Sequence, residues 1–446
     1  MRLLAESCGT VYVASNDFVT VLNSIGLQQF DFELGKGSQI VCVTVSNDGQ
    51  YIFAGYANKY ICCWNKKGDV VGSFMHAKRP TGLVSAVVAD NKHVLVVSDK
   101  AGFIYGTEVP TFQKHVIVAG HTASVITDMS ADISGSYIAT ADRDEKVRIS
   151  KFPHMETIQS FCLGHTNVVT SVAFVAGGSG SASASGSGSD SSLMLSTGWD
   201  HRLCLWSYAE GRLLDVIQYE TDTSSSSSSS AGAGVGAGAG VGADANGAEE
   251  VDEVEGAGAE GEGEEDIAAV NEADLAEKTY DEDSAGHFPI KVAATLLPSG
   301  SGSSGSSRSE HSSATGVVAV IFKNKPVVAV YPLRTGGDTS ASRLLGREQG
   351  VEYELPATPC DICFLADRIV VLLPKPHYLQ ILTVIEGAEG TLRVDVAADE
   401  TALTTMKRFQ ELCTDKAIDF DQQLVSGEGG GDAERGTLDC IVGCGC

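Results

Sequence analysis

No window of this 446-residue sequence approaches the roughly 18 consecutive apolar residues that a membrane-spanning helix needs. The start, MRLLAESCGTVYVASND, lacks the long apolar stretch of a secretory signal, so the expectation is a soluble intracellular protein. Bases are scarce: 31 Lys and Arg stand against 58 Asp and Glu, a formal charge of −27. The deficit is uneven, because Asp244–Asp283 holds 17 acids and one base, Lys278; it supplies −16 and leaves −11 for all the rest. That balance excludes a chain that is itself the main phosphate-binding surface. Metal spacing is missing too. Cys360 and Cys363 form C-x-x-C with no second pair to complete a zinc site, so no metal is expected. The 12 cysteines are spread through a chain without an export signal, with Cys42, Cys62 and Cys204 inside apolar runs, and read as reduced core thiols. The tract GAGVGAGAGVG lacks the third glycine of a dinucleotide-binding loop. The terminal Cys444-Gly445-Cys446 resembles a double-prenylation ending but has no small GTPase ahead of it.

What is present is repetition. One unit runs Gly120-His121, then SVITDMS, then SGSYIATADRDEKVRIS; a second runs Gly164-His165, then NVVTSVAF, then LMLSTGWDHRLCLW. The Gly-His pairs are 44 residues apart, whereas Asp144 to Asp200 and Ser150 to Trp206 are each 56, and the excess of 12 falls in the flexible stretch GGSGSASASGSGSD at 177–190. Weaker copies flank them at 38–75, 81–108, 289–333 and 343–385, each with alternating apolar runs split by turn residues. The architecture expected is an all-β, seven-bladed WD-repeat propeller. Residues 1–218 would form blades 1–5, with the N-terminal strands closing the last blade, and 289–398 would form blades 6 and 7. The serine, alanine-glycine and acidic segment 219–288 is too poor in large apolar residues to offset chain entropy and reads as a disordered insertion. Residues 399–446 read as one helix, TALTTMKRFQELCTDKAIDFDQQLV, and a flexible tail.

His165, Ser196, Asp200 and Trp206 occupy positions where such repeats form an internal hydrogen-bond chain of loop imidazole, strand hydroxyl, turn carboxylate and indole. His121, Thr140 and Asp144 match in the other unit, with Ser150 in place of the tryptophan. A Ser/His/Asp set also suits a hydrolase. Recurrence at repeat spacing favours the structural role instead, since polar groups between blades must be paired. In an antiparallel four-stranded blade, the loop before the first strand and the turn between the second and third lie at one end. The Gly-His loops and the turns at 142–146 and 199–202 therefore share a rim. ADRDEKVR packs three acids and three bases there, either as a solvated turn or as a charged docking site with Arg148 and Arg202 as carboxylate partners.

The stretches SDKAGFIYG (98–106), GHTASVITDMSADISGSYIATADRDEKVRISKFP and ETIQSFCLGHT resemble the WD-repeat, non-catalytic subunit of tRNA (guanine-N7-)-methyltransferase, closely over 90–215 and loosely elsewhere. The resemblance implies a nuclear heterodimer whose partner, the catalytic methyltransferase subunit, carries S-adenosylmethionine and forms 7-methylguanosine in the tRNA variable loop. This chain would hold no cofactor and would meet tRNA through the complex. It also implies docking at the rim and side of the middle blades through Lys100, Arg143, Asp144, Glu145, Lys146, Arg148 and Arg202. Phe103, Trp199, His201 and the acidic insertion depart from the family pattern. A general WD scaffold, such as a ubiquitin-ligase substrate adaptor or a chromatin component, is the alternative.

Overall fold

The computed structural model describes residues 2–23, 26–88, 92–113, 115–121, 124–175, 192–220, 287–296, 314–335, 344–386 and 391–420. The acidic insertion from 221 to 286, the stretch 176–191 and the tail from 421 onward lie outside the described residues.

Seven four-stranded antiparallel sheets follow one another along the chain. From the innermost strand outward, blade 1 is Leu4–Ser7, Thr10–Ser15, Phe18–Asn23 and Gly26–Phe30, and blade 2 is Ile40–Val45, Tyr51–Tyr56, Tyr60–Asn65 and Val70–Met75. Blade 3 is Pro80–Val88, Lys92–Asp99, Phe103–Val109 and Val116–Gly120; blade 4 is Ile126–Ala131, Tyr137–Asp142, Lys146–Lys151 and Ile158–Leu163. Blade 5 is Val169–Phe174, Leu193–Gly198, Arg202–Ser207 and Arg212–Gln218. Blade 6 is Pro289–Leu296, Ala314–Phe322, Lys325–Thr335 and Val351–Glu354; blade 7 is Asp361–Leu365, Arg368–Leu372, Leu379–Glu386 and Leu392–Val396. Helix α1, Glu400–Asp415, follows.

Burial explains the composition of these strands. Second strands such as Leu193–Gly198 are buried along their whole length, because a neighbouring blade covers each face, and they read as unbroken runs of small and apolar residues. Outer strands such as Val70–Met75 alternate between exposed and half-buried residues. Each connection between second and third strands holds one residue at positive φ: Asn16, Lys59, Gly102, Glu145, His201, Asn324 and Tyr378. Gly102 is fixed by space as well, since a Cβ there would lie 2.4 Å from the Ser124 carbonyl oxygen.

The expected closure of the last blade by N-terminal strands does not occur. Blade 7 recruits its own fourth strand, with Leu392 opposite Glu386 and Val396 opposite Leu382, while Gly26–Phe30 completes blade 1. Among the described residues no strand from elsewhere joins blade 7. The strand Val351–Glu354 likewise belongs to blade 6, so the last blade begins at Asp361 rather than near 343. Ring closure rests on Asp361, whose Oδ2 accepts from Leu3 N at 2.6 Å and Leu4 N at 2.8 Å, and on apolar packing that joins blades 1, 2 and 7 to α1.

The innermost strands of blades 4, 5 and 6 are tied by a buried carboxylate. Asp128 Oδ2 accepts from Ser171 Oγ at 2.9 Å and Lys291 Nζ at 3.1 Å, and the Arg2 guanidinium stands 3.7 Å from the other oxygen. Burial pushes the Asp128 carboxyl up, but Lys291 and then Arg2 outweigh it and bring it down to about 2.

Candidate docking rim on blades 3 to 5

Three successive blades hang an imidazole from the loop before their first strand onto a carboxylate near the second turn. In blade 5, His165 Nδ1 lies 2.9 Å from Asp200 Oδ2 and Nε2 lies 2.7 Å from Ser196 Oγ, while Trp206 Nε1 donates to the same Oγ at 2.8 Å. Ser196 and Trp206 are fully buried and His165 nearly so, which seals the hydroxyl from any substrate and removes the hydrolase reading.

Blade 4 departs from the sequence alignment. His121 Nε2 reaches Thr140 Oγ1 at 2.7 Å as expected, but Nδ1 meets Asp142 Oδ2 at 2.8 Å rather than Asp144. Asp144 is exposed, and its backbone N–H donates to Asp142 Oδ1 at 2.9 Å. The cause lies at the end of the second strand. In blade 5 that place is Gly198, where a Cβ would lie 3.0 Å from Asp200 Oδ1 and 3.1 Å from His165 Nδ1, so the carboxylate comes from the turn instead. Both carboxyls sit below the usual range: burial raises them, and the histidine hydrogen bond with the turn amides more than compensates.

Blade 3 holds a third version that the repeat pattern did not reveal. His76 Nε2 stands 3.3 Å from Asp99 Oδ2, His76 Nδ1 stands 2.8 Å from His115 Nε2, and His115 Nδ1 stands 3.1 Å from Thr107 Oγ1. Val97 takes the strand position that Thr140 fills in blade 4, so an imidazole replaces the missing hydroxyl. His76 lies 45 residues before His121, but Met75 rather than glycine precedes it, which hid the match. Burial, and then the neighbouring His76, hold His115 down at about 4.

Arg148 and Arg202 turn out to brace the rim. Arg148 Nη1 donates to the Gly120 carbonyl at 2.9 Å and Nε to Ser150 Oγ at 3.0 Å; Arg202 Nη1 donates to the Gly164 carbonyl at 2.8 Å and Nε to Gln218 Oε1 at 3.0 Å. Each guanidinium thus grips the glycine of a Gly-His pair, and both side chains are half-buried. Lys100, Arg143, Glu145 and Lys146 are exposed with Asp144 on the same rim.

Below that rim lies an apolar surface absent from the sequence reading. Lys146 pairs with Leu163 and Arg148 with Phe161 across the third and outer strands of blade 4, so the four side chains share one face. Val147 and Cys162 take the opposite face and pack against blade 5. Leu163 is 64% exposed and Phe161 42%, and Val116 and Ile117 on the outer strand of blade 3 are exposed as well. Large apolar side chains beside lysine and arginine form a mixed surface of the kind that interface cores and rims share. Among the described residues no His, Cys, Asp or Glu group is arranged to hold a metal, and no helix is long and apolar enough to cross a membrane.

Residues 106–241 match the family model of the tRNA methyltransferase TRM82 WD40 domain, and 29–65 match a WD domain, G-beta repeat. The family resemblance stands. A tRNA (guanine-N(7)-)-methyltransferase non-catalytic subunit of Dictyostelium discoideum is 25% identical over 232 residues, 46% of this chain and 45% of that protein. Its Homo sapiens counterpart is 30% identical over 188 residues, 41% of this chain and 42% of that one, and the Bos taurus protein is 33% identical over 123 residues, 27% and 26% of the two chains. These matches span under half of each relative's length. A chain in a crystal structure of the mitotic checkpoint complex superimposes with a TM-score of 0.51 at 12% identity, covering 90% of this chain and 87% of that one, which shows the propeller fold alone.

Proposed function

We propose that this chain is the non-catalytic subunit of a nuclear tRNA (guanine-N7-)-methyltransferase, docking and stabilising a catalytic subunit that binds S-adenosylmethionine and forms 7-methylguanosine in the tRNA variable loop. The observation that carries this reading is positional: the family match begins at residue 106 and covers the blades that bear both the charged turn 142–146 and the apolar face of Phe161 and Leu163. The partner meets Lys100, Arg143, Asp144, Glu145 and Lys146 at the rim and the two apolar side chains below them. Arg148 and Arg202 act by holding the Gly-His loops in place beside that surface. The body's net negative charge leaves phosphate binding to the partner, and tRNA is met through the complex. No residue of this chain takes part in the chemistry.

Co-expression with the methyltransferase subunit from the same cell should give a stoichiometric complex, and loss of this chain should lower tRNA 7-methylguanosine. Failure of the pair to co-purify, or an unchanged tRNA 7-methylguanosine level in cells that lack the chain, overturns the reading. Recovery of a cullin-type complex in place of a methyltransferase would establish the scaffold role.

A further inference from the structure

A ring of blades must close on itself, and among the described residues no strand is shared between the first blade and the last. We propose that α1 and the residues after it, through Phe420, are a separable clasp that holds the seam between blades 7 and 1. The helix starts on blade 7: Asp399 caps it by accepting from Ala402 N at 3.0 Å, and the same carboxylate meets Arg368 Nη1 at 2.8 Å. Ala402 and Met406 then pack on Ile381 and Ala397 of blade 7. One and two turns further along the same face, Phe409 and Cys413 are fully buried in the cluster that contains Phe18 and Val19 of blade 1 and Leu372 and Leu379 of blade 7. After the helix the chain folds back, and Phe420 stacks on Phe409 at 6.4 Å and meets the edge of Tyr378 at the same distance.

Polar contacts reach both sides of the seam. Lys416 Nζ lies 4.5 Å from the Phe18 ring centroid on blade 1, while Asp419 pairs with Lys375 at 2.7 Å and Gln410 donates to the Pro376 carbonyl at 3.1 Å on blade 7. The edge blades also meet directly, through Asp361 with the Leu3 and Leu4 amides and through the apolar side chains of the same cluster. A joint made of side-chain packing can release without breaking any sheet, whereas a shared strand cannot. The seam therefore opens and closes with the helix, and blades 3 to 5 keep their own neighbours throughout.

Hydrogen–deuterium exchange on the full chain tests this. In Phe409→Ser, amides of Leu4–Phe30 and Asp361–Val396 should exchange at least tenfold faster, with Ile126–Leu163 and Val169–Phe174 unchanged. Equal acceleration in all blades, or none in blades 1 and 7, overturns the clasp. If that variant fails to fold, the exposed contacts serve instead. Lys416→Ala with Lys375→Ala should speed exchange at the same two blades about threefold, and a uniform response or no response again refutes it.

Discussion

Replacing Lys291 by methionine should cost about 3 kcal/mol of stability, because it strands a carboxylate in the propeller's interior. Asp128 and Lys291 are each 7% exposed at the side chain, and their charged atoms are 3.1 Å apart. Holding the Asp128 carboxyl at about 2, against an ordinary 3.8, corresponds to about 2 kcal/mol of stabilisation at neutral pH at ~1.4 kcal/mol per pH unit. The sign follows from a depressed carboxylate: the contribution is complete above 3.8 and is lost as pH falls through about 2. Without Lys291, Asp128 keeps Arg2 at 3.7 Å, the Ser171 hydroxyl and the Val172 amide at 3.2 Å, burial dominates, and protonation moves to higher pH. Urea unfolding at pH 7 should show the full loss in Lys291→Met, and unfolding near pH 4 a smaller one, since a neutral carboxyl needs no cation. The double variant Asp128→Asn with Lys291→Met should recover most of it. A single variant as stable as the parent, a loss that does not shrink in acid, or a double variant no better than the single would each refute the charge argument.

Leu163→Glu combined with Phe161→Asp should abolish co-purification with the methyltransferase subunit while leaving the melting temperature within a few degrees, since both side chains face solvent. Asp142→Ala should destabilise by about 2 kcal/mol through loss of the His121 partner and two turn amides, whereas Asp144→Ala should stay within about 0.5 kcal/mol by thermal melting. Because His115 is held at about 4, against 6.5 when unfolded, the unfolded chain takes up the proton first; stability should fall as pH drops from 6.5 towards 4, and His115→Gln should flatten that slope in a melting series. Trp206→Phe should cost about 1 kcal/mol in urea unfolding by removing the indole donor from Ser196.

The two middle repeats were legible because a glycine-histidine pair and a turn aspartate recur at fixed spacing, and those residues do form the internal network of blade 5. Spacing alone aligned Asp144 with Asp200, and only the geometry at Gly198 shows why blade 4 draws its carboxylate from two residues earlier. Blades 1 and 7 carry neither signature, so their independence from each other was invisible. Arginines 148 and 202 were marked for their charge, and nothing in a charge pattern tells that the guanidinium has turned back onto a backbone carbonyl. The apolar face of blade 4 was hidden for a different reason. In SFCL both strand faces carry an apolar side chain, and which one a neighbouring blade covers is a property of the ring rather than of the strand.

The two ends of each blade differ in how much sequence they can accept. First-to-second connections open on the rim opposite the charged turns, and it is there, between Phe174 and Leu193 and between Leu296 and Ala314, that long serine-glycine stretches enter without disturbing the ladders on either side. A fluorescent or affinity module placed within 177–190 would join the chain between Phe174 and Leu193, at the rim opposite the proposed docking surface. Assembly with the proposed partner could then be followed in real time by a reporter attached away from that surface.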